Sequence, residues 1–183
     1  MRCKTTTSIL ALILGLAGAT LARADVVIDW NNLLLDAIRS HCTNPPVATC
    51  SLAIVHTAIF DAVNGIVGGY EPYFVPGPGP AGASPEAAAA AAAHAALSAI
   101  YPDTSDLFDV ALAQSLAAIP DGPAKTDGVA WGESCAAAIL ALRQSDGAAD
   151  IVPFATPDGA GWWVPTPPAF APTLLPNWPY VTP

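Results

Sequence analysis

Apolar residues recur at helical spacing along most of the chain, and that spacing predicts five helices. The first runs from about Val27 to Ser40, with Trp30, Leu33, Leu34, Ala37 and Ile38 on one face. Asn44-Pro45-Pro46 opens the second, because proline is tolerated in a first turn whose N–H groups have no helical partner anyway. Its stripe is Leu52, Val55, Ile59, Phe60 and Val63, and Gly65 is the expected C-terminal cap. Residues 71–83 hold Pro72, Pro76, Pro78 and Pro80 among glycines, which predicts a connector.

Ser84-Pro85-Glu86 then supplies an N-cap, a first-turn proline and an acid at the positive end of the helix dipole. The third helix, through about Ile100, is nearly pure alanine, a low-volume surface that lets neighbours approach closely. Thr104 or Ser105 caps a fourth helix to Ile119, whose face reads Leu107, Phe108, Val110, Ala111, Leu112 and Leu116. Asp121-Gly122-Pro123 turns the chain into a fifth, to about Gln144 and closed by Gly147. Within it Gly128, Gly132 and Ala136 recur every four residues and make a smooth groove for another helix. Lys125, Asp127 and Glu133 exclude the membrane version of that motif, which needs an apolar 20-mer.

After Ala148 the pattern breaks. Nine prolines from Pro153 to Pro183 forbid a helix. Trp162, Trp163, Phe170 and Trp178 argue against a disordered tail, since disordered segments are poor in aromatics. The expected fold is all-α: an antiparallel bundle of about five helices over residues 25–150, with a Pro/Trp-rich extended strap over 151–183 lying on an apolar surface.

The N-terminus reads as a secretory signal. Arg2 and Lys4 precede the apolar stretch from Ser8 to Thr20, and Ala22-Arg23-Ala24 offers small residues for cleavage before Asp25. A membrane anchor is the rival reading. A spanning helix needs about 20 apolar residues, and this run is shorter and broken by Gly15, Gly18 and Arg23. The expected location is therefore secreted or periplasmic, with no stable membrane span after the leader is removed.

Charge narrows the function. Residues 1–24 carry three cations and no acid, so their removal takes the formal charge from −9 to −12 and leaves only Arg39, Lys125 and Arg143. Three scattered cations cannot supply the counterion release behind nucleic-acid affinity, nor the attraction to anionic membranes. Cys42 and Cys50 bracket Thr43-Asn44-Pro45-Pro46, a turn between two helices. In an oxidising compartment they form a disulfide or stay separate thiols, and spacing alone does not choose. Cys135 lies among alanines and reads as a small core residue.

His56 and Asp61 are the tempting polar pair, but five residues place them about 140° apart around a helix axis. Hydrogen bonding at helix junctions is the expected role for each. His94 reads as a solvated or core-edge histidine. No Gly-x-Ser-x-Gly elbow, phosphate-cradling loop or His-Glu-x-x-His occurs, so no catalytic, cofactor or metal residue is assigned.

Several segments nevertheless resemble a known family. Asp25-Val26-Val27-Ile28-Asp29-Trp30-Asn31, the run Leu52 to Gly65, and Tyr70-Glu71-Pro72-Tyr73 look like the N-terminal helices of bacterial vanadium-dependent haloperoxidase-like proteins. These share a superfamily with type 2 phosphatidic acid phosphatases. The resemblance continues through Ser84 to Ala88, Ile119 to Thr126, Trp163-Val164-Pro165-Thr166-Pro167-Pro168 and Val181-Thr182-Pro183. It implies an all-helical fold and, in full-length relatives, vanadate-dependent halide oxidation or phosphate-ester hydrolysis. The family's oxyanion site uses a lysine and arginine before a proline, a Pro-Ser-Gly-His segment, and a Ser-Arg with a downstream histidine. None of these strings is present. Vanadate or phosphate would belong only to a further catalytic half.

Two functions follow: the N-terminal helical portion of such a protein, inactive alone, or a stand-alone exported helical binding or scaffold protein. In the first case the groove at Gly128, Gly132 and Ala136 and the tryptophans of the strap are expected to be partly uncovered, favouring self-association through unburied helix faces.

Overall fold

The computed structural model describes residues 25–155 and 159–182; the leader at 1–24 lies outside the described residues. Five α-helices form an all-α bundle: α1 Val26–Ser40, α2 Pro45–Val67, α3 Pro85–Ile100, α4 Ser105–Ala117 and α5 Pro123–Arg143. Short 3₁₀ turns at Pro102–Thr104 and Trp178–Tyr180 complete the regular structure, and no strand occurs among the described residues.

Local signals set the helix starts. The Asp25 carboxylate accepts the Val27 N–H at 3.0 Å and caps α1. The Ser84 hydroxyl accepts the Ala87 N–H at 3.1 Å and caps α3. Proline occupies the first turn of α2, α3 and α5.

The alanine helix is the centre of the bundle. α3 packs against α1, α2, α4 and α5, and every residue from Ala87 to Ala93 is buried, together with Ala96 and Leu97. A helix covered all round has no polar face, which is why its sequence shows no stripe. Large side chains come from its neighbours: Trp30 and Leu34 of α1, Val55 of α2, Phe108 of α4 and Ile139 of α5 are all buried.

The groove on α5 is filled within the chain, which corrects the expectation that it stays uncovered. Gly128 and Gly132 are buried against α3. A Cβ on Gly128 would lie 2.6 Å from the Ser84 carbonyl oxygen, and one on Gly132 would collide with the Ala88 carbonyl. These glycines exist to let two helix backbones touch.

Gly65 is not a cap. α2 continues to Val67 and ends at Gly68, whose φ of 73° suits glycine. Gly65 instead clears space for the Trp131 ring, which a Cβ would approach to 2.7 Å. Trp131 in turn donates from Nε1 to the Ala62 carbonyl at 3.0 Å, joining α5 to α2.

The expected face of α4 is too wide. Phe108 is buried and Ala111 and Leu112 pack beside it, whereas Leu107 and Val110 are exposed. Both lie about 100° or more around the axis from Phe108. On α2, Phe60 is likewise exposed while Val55 and Ile59 are buried. α2 is long and apolar enough to cross a membrane by length and composition; here it packs against α1, α3 and α5.

Candidate functional site

Polar side chains in this bundle work mainly at helix junctions. His56 Nε2 lies 3.0 Å from Asn31 Oδ1 and ties α2 to α1. Asp61 is fully buried and its carboxylate accepts three backbone N–H groups, from Tyr73 (2.7 Å), Phe74 (2.9 Å) and Val75 (2.8 Å). Each residue thus has its own junction, and the two do not form a pair. Asn64, one turn after Asp61, clasps Tyr70 through both its backbone N–H (3.1 Å) and its carbonyl (2.9 Å). Sequence reasoning missed Asn64, although its three-residue spacing from Asp61 places both on one helix face. Together they fix the loop after α2.

His94 is a core-edge residue. Its Nε2 meets Asp109 Oδ1 at 2.7 Å, joining α3 to α4, and its ring stands edge-on to Trp30 with centroids 6.3 Å apart. His41 closes the end of α1, with Nδ1 2.9 Å from the Ala37 carbonyl and Nε2 3.3 Å from the Thr104 hydroxyl. Its ring packs on Tyr101, whose hydroxyl reaches Ser51 at 3.4 Å. His41 also has the Ser40 hydroxyl at 3.2 Å and the Asp103 carboxylate at 3.7 Å, whereas the His94–Asp109 contact has no hydroxyl or thiol among its hydrogen-bond partners.

The three cysteines among the described residues are free. Of the two readings for Cys42 and Cys50, the structure has separate thiols. Cys42 is exposed just past α1, while Cys50 lines a depression of about 300 Å³ walled by Ala53, Ile54, Ile139, Trp178 and Val181. Cys135 is fully buried, as its alanine setting suggests. Burial, and secondarily the charge of Asp61, pushes its thiol up to about 12. A thiol that holds its proton so firmly is no nucleophile.

The three cations are each engaged by an aspartate. Arg39 meets Asp36 at 2.8 Å, Lys125 meets Asp121 at 2.9 Å, and Arg143 meets Asp146 at 2.9 Å. Lys125 also holds the Asp121 carboxyl below its usual range, by hydrogen bond first and charge second. Among the described residues no group of three or more His, Cys, Asp or Glu could hold a metal ion.

The strap is docked at one end only. Asn177 is buried and donates to the Gly147 (2.8 Å) and Ala148 (3.0 Å) carbonyls, and the Thr182 N–H reaches the Asp146 carbonyl at 2.8 Å. Arg143 donates to the Thr182 carbonyl at 3.0 Å. Trp178 is half-buried at this neck, but Trp162, Trp163 and Phe170 stay exposed. The expectation of a strap lying along an apolar surface therefore holds for residues 177–182 and fails for 159–176.

Comparison with protein-family models, curated proteins and solved structures finds no match to this chain. The site that remains is a pair of uncovered apolar surfaces: the outer face of α2 and the strap before its neck.

Proposed function

We propose that this chain is a non-catalytic helical scaffold, the N-terminal helical portion of an exported vanadium haloperoxidase-like or acid phosphatase-like protein. The segments quoted above support the family, and the leader-like N-terminus supports export to a secreted or periplasmic location. One observation carries the lack of chemistry: all three cations outside the leader are neutralised by aspartates close by in sequence. An oxyanion such as vanadate or phosphate needs several unengaged donors aimed at one point. The residues present do not fit it.

The test uses purified residues 25–183 with vanadate, peroxide and bromide, and separately with a chromogenic phosphate ester. Background rates are expected in both; turnover that depends on the polypeptide overturns the reading. The family is tested by the coding frame beyond codon 183. A frame continuing into Pro-Ser-Gly-His supports it, and a stop followed by nothing related favours a second reading, a stand-alone exported binding protein. The exposed apolar surfaces of α2 and the strap speak for that second reading, because exposed patches of this kind mark interaction sites.

A further inference from the structure

Charge is unevenly spread over this acidic chain. Between Arg39 and Glu71 the single charged side chain is Asp61, and it is buried. After Asp158 there is no charged residue at all. The two neutral stretches contain the two uncovered surfaces. On α2 the outward-facing Ala53, Phe60 and Val67 are exposed, while Leu52, Ile54, Val63 and Ile66 are partly buried against the bundle. The C-terminal half of α2 frames an apolar depression of about 340 Å³ with Phe60, Val63, Val67 and Tyr70 in its wall. Val67 is 66% exposed and Tyr70 77%.

The other surface is an arm, residues 159–176, held at its base by Asn177. It exposes Trp162, Trp163, Val164, Phe170 and Leu174 and includes Pro165, Pro167, Pro168 and Pro172. Loops this long without secondary structure are uncommon and are usually functional or linker segments. Between its turns the arm runs irregularly at 163–166 and 171–173, where its prolines restrict the backbone and lower the entropy lost on docking into an apolar groove. Arm and depression match in chemistry, yet within one chain both stay open.

We propose that the arm of one copy docks in the α2 depression of a second copy, and reciprocally, forming a closed two-fold dimer. The proposal rests on reading the chain as a scaffold, and it adds the partner. Charge selects the contact: residues 25–183 carry a formal −12, so two copies meet least repulsion where both surfaces are neutral. The area suffices as well. Stable interfaces bury about 1,200 Å² or more in total, which two reciprocal contacts reach by covering most of the exposed surface of Trp162, Trp163, Phe170, Phe60 and Tyr70.

The experiment is the mass of residues 25–183 in solution across a concentration series, for the wild type, Val67→Lys and Trp163→Asp. Both positions are exposed, and circular dichroism checks that the helices persist. The wild type is expected to dimerise, more strongly at raised salt because screening relieves repulsion. Each variant alone is expected to lose at least tenfold in dimerisation. An equimolar mixture of the two is expected to dimerise again, because one contact is then wild type and the other pairs lysine with aspartate. A wild type monomeric at every concentration, or single variants that dimerise normally, overturns the proposal. So does a monomer that floats with neutral phosphatidylcholine vesicles, which would give the α2 face to lipid. Turnover with vanadate or phosphate ester would sink the scaffold reading alone and leave the measured mass unaffected.

Discussion

Gly132→Ala should destabilise this protein, although alanine is the better helix former. Gly132 sits where α5 crosses α3, and an added Cβ would collide with the Ala88 carbonyl oxygen while meeting its carbon at 2.9 Å and its Cα at 3.0 Å. Ordinary carbon contacts lie at about 3.5–4.0 Å, so the α3 backbone must retreat by roughly 1 Å. That retreat cannot stay local, because Ala87 to Ala93 are all buried against other helices. A radial gap of about 0.5–1 Å forfeits a quarter to a half of each dispersion contact it opens. Overpacking typically costs about 1–3 kcal/mol, and moving a central helix puts this case at the upper end. Replacing glycine in a helix interior returns about 1 kcal/mol. The net expectation is a loss of about 2 kcal/mol, or a fall in Tm of about 4–8 °C for a chain of this size. Urea unfolding of residues 25–183, followed by far-ultraviolet circular dichroism, measures it, with the m-value unchanged. Ala130→Gly, at an exposed position of the same helix, is the comparison and should cost about 1 kcal/mol by propensity alone. A Gly132→Ala midpoint equal to or above the wild type would refute the close backbone contact between α3 and α5.

Three further outcomes are expected. Asp61→Asn keeps the shape but leaves N–H groups of residues 73–75 short of an acceptor beside a buried side chain, a loss of about 1–3 kcal/mol; a wild-type midpoint would remove its role as loop anchor. Cys135 has its thiol raised to about 12 in the folded state, so the unfolded chain loses that proton first as pH rises. Stability is then full below about pH 8.5 and drops by about 2–3 kcal/mol by pH 10.5, a decline that Cys135→Ala should flatten. If the variant declines as steeply as the wild type, another group is responsible. A thiol reagent at neutral pH should modify exposed Cys42 first, Cys50 more slowly and Cys135 only on unfolding; equal rates at Cys42 and Cys135 would contradict the burial.

Signals that act within a few residues were legible. Ser84 caps its helix as read, and the first-turn prolines of α2 and α3 stand where the pattern put them; the Asp25 cap of α1 was not read. The readings that failed depended on distant partners. Gly65 looks like a helix end until Trp131 is seen lying on it. Leu107 and Val110 look like core because a helix rich in apolar residues does not declare which arc faces inward; the position of α3 decides it. The polar site was half legible for the same reason. His56 and Asp61 were rightly kept apart on angular grounds, but the partners of Asp61 are backbone groups, which leave no side-chain signature.

A total of −12 over residues 25–183 suggests a chain that keeps to itself, and the total conceals where the charges sit. Asp61 is the one acid in the α2 region, and the fold turns it inward to hold the loop at Tyr73 to Val75. The same carboxylate that orders this loop therefore leaves the outer face of α2 neutral. The chain after Asp158 is neutral by composition, and the bonds of Asn177 hold its base in place. In the proposed dimer, two neutral apolar surfaces on an acidic body would meet with less repulsion than approaches that set acidic surfaces against each other. Specificity of that contact would come from repulsion over the rest of the surface as much as from attraction at the contact.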